Sequence, residues 1–104
     1  MSRLFLSGDA QRDLDEIREY HEEIPREHAE RVLKSLEDML QSIGEQPYLG
    51  TSQSALTRLL GEEVRSRLAH PYRIFYRVGK NTPEIFAILH GARDQPSILD
   101  RRFQ

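Results

Sequence analysis

Between Val64 and Val78 the chain alternates two kinds of side chain, and this stretch constrains its fold more tightly than any other. The even positions read Val64, Ser66, Leu68, Tyr72, Ile74, Tyr76 and Val78, while the odd positions include Arg65, Arg67, Arg73, Phe75 and Arg77. Successive side chains of a strand point to opposite sides, so an alternation of period two sorts residues by face. The expected result is a sheet with one apolar face and one carrying four guanidinium groups. Like charges on neighbouring strands repel unless water, carboxylates or an anionic partner relieves them, so a solvated face explains one arginine better than four. The four together point to a partner-binding face. That arrangement depends on the join at Ala69-His70-Pro71. An odd-length loop sets Arg67 opposite Arg73 and keeps the arginines together, whereas a two-residue loop sets Arg67 opposite Ile74 and mixes both faces. The odd loop is therefore expected.

The remaining chain reads as strand, helix, helix, then strands. Residues 3–7 suit a short strand with Leu4 and Leu6 on one face, and Ser7 or Asp9 can cap the helix that follows. Ala10, Leu14, Ile17, His21 and Ile24 fall on one helical stripe. Pro25 breaks this helix and suits the first turn of a second, expected over about 26–43 with Ala29, Val32, Leu33, Leu36, Leu40 and Ile43 as its apolar stripe. Gly44 is the expected stop. Two amphipathic helices across a tight break form an antiparallel hairpin. Residues 45–55 are a turn-rich connection, and strands are expected at about 56–60, 64–69, 72–78 and 84–90, with turn chemistry at 61–62 and 79–83. The predicted fold is α+β: an N-terminal strand and a two-helix hairpin packed on one face of an antiparallel sheet of about four strands.

A length of 104 residues suits one domain, 1–104, with one core. No apolar run approaches the roughly 20 residues that span a bilayer, and the N-terminal apolar run is too short for a secretory signal. With no cysteine there is no disulfide framework or thiolate site, so a reducing cytoplasm is the expected setting. The four histidines (21, 28, 70 and 90) have no recognisable metal-ligand spacing, so no metal and no cofactor is assigned. The net charge of −2 conceals a division: residues 1–55 carry 6 basic and 12 acidic side chains, residues 56–104 carry 9 and 5. Overall acidity argues against coating of nucleic acid, while a basic half leaves room for a focused anionic target.

Two motifs, in this order and in a chain this short, resemble the ParE/RelE superfamily of toxins from bacterial type II toxin–antitoxin modules. The first is Ala10-x-x-Asp13-Leu14-x-x-Ile17-x-x-Tyr20. The second is Tyr72-Arg73-Ile74-Phe75-Tyr76 followed by Leu89-His90-Gly91-Ala92-Arg93-Asp94. The resemblance covers nearly the whole chain and implies a toxin neutralised by a cognate ParD- or RelB-like antitoxin that wraps around it. It also implies one of two activities. RelE-type members cut messenger RNA on the ribosome; ParE-type members inhibit DNA gyrase by binding it, without catalysis. The segment 89–94 looks more like ParE.

Cleavage of RNA requires activation of the ribose 2′-hydroxyl, stabilisation of charge on the phosphate and protonation of the leaving oxygen. By the resemblance Arg65, Arg67, Arg73 and Arg93 stand at the positions that RelE-type members use, and His90 is the one nearby group that titrates near neutrality. The C-terminal tyrosine of that pattern is absent: Ile98 and Leu99 occupy its region, and no tyrosine follows Tyr76. Arginine stays charged and is a poor proton carrier. His90 itself reads more readily as a packed, hydrogen-bonded residue at a strand end. The expected reading is thus a gyrase-binding toxin using Arg65, Arg67, Arg73, Arg77, Arg93, Arg101, Arg102 and Phe103 as target contacts. The alternative is a ribonuclease built on Arg65, Arg67, Arg73, His90 and Arg93. Tyr72 and Tyr76 are expected in the core with their hydroxyls at its edge.

Overall fold

The computed structural model describes residues 4–80 and 82–103, so Arg3 of the expected first strand and Asn81 of the expected turn fall outside it. The elements in chain order are β1 (Phe5–Leu6), α1 (Gly8–Glu22), α2 (Arg26–Glu45), a 3-10 turn (Pro47–Leu49), β2 (Thr51–Ser52), α3 (Ser54–Leu60), β3 (Val64–Ala69), β4 (Tyr72–Arg77), β5 (Glu84–His90) and α4 (Gln95–Arg102). The strands form one sheet in the order β1-β5-β4-β3-β2. The α+β architecture and the hairpin of α1 and α2 are as the sequence predicts. The sheet has five strands and is mixed, because β1 runs parallel to β5.

Ser7 caps α1 by accepting the Ala10 N–H at 3.1 Å. Leu14, Ile17, Leu36 and Leu40 join Ile74, Tyr76, Ile85 and Ile88 in one buried cluster, with Leu4, Leu6 and Leu33 against it. The predicted helical stripe therefore meets the predicted strand face. A second cluster lies on the opposite face, where Val64, Phe75, Phe86, Ala87 and Leu89 are covered by Ile98 and Leu99 of α4, with Leu56 and Leu60 of α3 beside them.

This second cluster overturns the expected register. Only His70 and Pro71 separate the paired residues Ala69 and Tyr72, so Arg67 lies opposite Ile74 and Arg65 opposite Tyr76, whereas Leu68 meets Arg73 and Val64 meets Arg77. Directly paired residues share a face. Arg65 and Arg67 therefore flank the helical hairpin, and Arg73 and Arg77 lie on the other side. The premise of a single apolar face is what fails, since helices cover both faces. In β5 the unbroken run Ile85-Phe86-Ala87-Ile88-Leu89 records this two-sided burial. A bulge there leaves Phe86 without a partner between the pairs Phe75–Ala87 and Tyr76–Ile85, and both Phe86 and Ala87 enter the second cluster.

Two element boundaries also differ. The expected strand at 56–60 is α3: Leu56 and Leu60, four apart, share the inward side of the helix, and Gly61 ends it with a φ of 70°. Helix α2 passes Gly44 and ends at Glu45, because Gln46 precedes Pro47 and is pushed out of helical geometry.

Candidate functional site

The arginines singled out by the sequence are spread over both faces, and several are engaged internally. Arg65 donates to the carbonyls of Tyr48 and Gly50 at 3.1 and 2.8 Å, pairs with Glu63 at 3.1 Å and lies over the Tyr48 ring. It thereby ties the 3-10 turn to the sheet. Tyr76 assists from the same face, its hydroxyl donating to the Pro47 carbonyl at 2.5 Å. Burial raises the Tyr76 pKa, against the lowering effects of the Gly50 amide and of Arg67 and Arg65. Arg67 reaches Ser42 of α2 at 3.3 Å.

On the opposite face Arg73 donates to Ser66 Oγ at 2.9 Å, and Gln53 donates to the same oxygen at 2.8 Å. Arg77 is held by Glu62 at 3.4 Å and Glu84 at 3.8 Å, and lies 5.9 Å from the ring centres of both Phe86 and Phe103. Phe103 in turn packs edge-on against Phe86 at 5.0 Å. Residues 98–103 are thus part of the fold, with Ile98 and Leu99 in the core where the ribonuclease pattern has a tyrosine. Arg93 and Arg101 are exposed and make no ion pair among the described residues.

A groove of about 580 Å³ lies between the helical hairpin and the end of the sheet. Tyr20, His21, Tyr72 and His90 form a row of rings along it, with centres 5.1, 6.1 and 5.5 Å apart in that order. His21 is buried and its Nδ1 lies 2.7 Å from the Ile17 carbonyl, which can only accept, so Nδ1 carries the proton. His90 Nδ1 accepts the Ala92 N–H at 2.9 Å, which turns the chain after β5. Burial, and then Tyr20, raise the Tyr72 pKa. Glu16, His28 and Arg93 supply the polar rim. Among the described residues no group of three or more histidines and carboxylates is placed to hold a metal ion. His90 of β5 is separated from Arg67 of β3 by the intervening β4 and by one further position on the same face, since His90 aligns with Tyr72 and Ala69, and Arg67 with Ile74 and Ile88.

Sequence reasoning did not single out the residues lining this groove as one site, although their signals were present. His21 sits on the apolar stripe of α1, where an imidazole needs a partner, and Tyr20 and Tyr72 belong to the two motifs already noted. Asp13 was also missed. It is buried beside Leu14 and accepts from Arg102 of α4.

The model of the family described as "ParE toxin of type II toxin-antitoxin system, parDE" matches residues 4–95. The chain belongs to the ParE toxin family. Among solved structures it resembles one titled "Chromosomal ParDE TA system from P. aeruginosa", with a TM-score of 0.65 and 19% identity over 86% of this chain and 96% of that one. At that identity the likeness speaks for the fold. No curated protein matches the chain. Among the described residues no helix is long and apolar enough to cross a membrane.

Proposed function

We propose that this ParE-family toxin acts by binding DNA gyrase and that a cognate antitoxin neutralises it. The separation of the arginines carries the reading. A phosphodiester-cleaving site needs cations, a base and an acid converging within about 3 Å of one phosphate. Here Arg65 and Arg67 lie across the sheet from Arg73. Arg65 is tied to backbone carbonyls, and the position of a terminal acid is filled by buried Ile98 and Leu99. His90 has a structural task in the turn after β5. A binder asks only for complementary surface, and exposed Arg93 and Arg101 with half-buried Arg73 and Arg67 supply cations for it. Arg65, Arg77, Arg102 and Phe103 support that surface from within.

The antitoxin reading rests on the family and on the groove. An apolar floor with a row of rings and a polar rim suits the apolar side of an amphipathic segment. The deciding experiment adds purified toxin separately to a gyrase supercoiling assay and to translating ribosomes. Loss of supercoiling with intact mRNA is expected, and His90→Ala should inhibit gyrase as the parent does. Fragmented mRNA with unaffected supercoiling, abolished by His90→Ala in a folded protein, refutes the proposal.

A further inference from the structure

The pairing of β1 with β5 ends at Leu6 and Ile85, leaving the outer edge of β5 beyond Ile85 without a neighbouring strand. Open edges carry backbone groups that require partners. Two side chains 89 positions apart provide them. Asp13 Oδ2 accepts the Ile88 N–H at 2.9 Å, and Arg102 donates to the Phe86 carbonyl at 3.0 Å. The two also bind each other through a fork: Arg102 donates to Asp13 Oδ2 and to Oδ1, each at 2.7 Å. Asp13 is 5% exposed, and among the described residues its oxygens accept from Ile88 and Arg102 alone. The hydrogen bond that Arg102 donates to Asp13 raises the Arg102 pKa, so the cation is held firmly. Helix α1 on one face and α4 on the other are thereby clasped across the sheet edge.

The clasp anchors helix α4 at its C-terminal end. At 8 residues it is too short to be stable alone, and it buries only Ile98 and Leu99 fully. Asp94 caps its start, accepting the Ser97 hydroxyl at 2.7 Å, and Arg102 fixes its end. A bidentate fork sets rotation as well as position. Neighbouring helical residues are about 100° apart, so Arg102 turned inward directs Arg101 to solvent. The clasp joins a residue inside the family match to a helix that begins where the match ends, at residue 95.

We propose that Asp13 is a positioning residue for toxicity, holding α4 in the pose that presents Arg101 to the target. This rests on the reading of the C-terminal segment as a target contact. The test compares the parent, Asp13→Asn, Arg102→Met and Arg102→Lys in the full chain by hydrogen exchange, gyrase supercoiling and growth arrest on induction. Removing one partner of a buried ion pair should accelerate exchange in residues 95–102 by on the order of 10²-fold. Exchange at the centres of α1 and β4 should stay at parent levels. Asp13→Asn and Arg102→Met should lose toxicity at least tenfold, and Arg102→Lys, which keeps the charge without the fork, should recover part of it. The inference is overturned if α4 keeps its protection, if toxicity survives the loss of that protection, or if α1 and β4 lose protection equally. It is also overturned if the parent arrests no growth. A parent that arrests growth without inhibiting gyrase refutes the gyrase reading alone, and the ranking of the variants in growth arrest then decides the role of Asp13.

Discussion

Gly50→Ala tests how the turn beneath Arg65 is built. A Cβ at this position would collide with the Tyr76 hydroxyl and lie 2.9 Å from the Ser66 carbonyl oxygen and 3.1 Å from Arg65 Cβ. The hydroxyl can move only by giving up its bond to Pro47, whereas the Ser66 carbonyl is fixed in the ladder between β2 and β3. Overpacking typically destabilises by about 1–3 kcal/mol, and a lost hydrogen bond by about 0.5–1.5 kcal/mol. Together they predict about 2–4 kcal/mol, a drop in Tm on the order of 10–20 °C for a chain of this size. Tyr76→Phe alone should destabilise by about 0.5–1.5 kcal/mol by removing the bond to the Pro47 carbonyl. In the Gly50→Ala background the same change should be neutral or stabilising, because it removes the colliding atom after the bond is already gone. The double variant stays below the parent, since the contact with Ser66 remains. Urea melts of the four proteins measure the coupling. Additivity within about 0.5 kcal/mol would refute the proposed contact.

Two further outcomes follow from the core and from the buried tyrosines. Leu36, 1% exposed at the centre of the hairpin cluster, should lose about 2–5 kcal/mol on change to alanine, read by urea melts; a loss below about 1 kcal/mol would place it at the surface. The fold holds Tyr76 neutral with a raised pKa, so its contribution is complete below the unfolded value of 10.0 and is lost as pH rises through the higher folded value. Thermal melts should therefore fall on the alkaline side, and Tyr76→Phe should flatten that limb; an unchanged limb would mean that the hydroxyl ionises freely.

The layers of the fold were legible because their cause is local. Ser7, the stripe Leu14–Ile17 and the stripe Leu36–Leu40 fix two helices and their inward sides by periodicity alone. The same periodicity misled in β3 and β4. Alternation reports which residues share a side, but not whether the other side is also covered, and four arginines suggested a face left open for a partner. The apolar run in β5 and the spacing of Leu56, Leu60 and Gly61 carried the contrary information. Those features announce a helical layer on the second face, and with it an even join at His70-Pro71. The groove was partly legible in His21 and Tyr72. The clasp was not, because nothing in a linear chain brings position 13 to position 102.

The charge division of the sequence also takes a different meaning in three dimensions. Within the acidic half, ion pairs are largely local to the hairpin: Arg12 with Asp9, Arg26 with Glu30 and Lys34 with Asp38 lie along single helices, and Arg18 reaches Glu37 across it. Within the basic half, Glu63, Glu62 and Glu84 hold Arg65 and Arg77. These exposed or half-exposed pairs contribute little to stability. Among the described residues a single ion pair joins the halves, between Arg102 and Asp13, and it is the one shielded from water. Its removal therefore exposes an unpaired buried charge, whereas removal of Arg93 or Arg101 takes away only surface potential. The exposed arginines of the C-terminal segment are in consequence free to change without harm to the fold. The proposed contact with a target draws on that separation: the exposed arginines can change while the clasp keeps the frame of α4 in place.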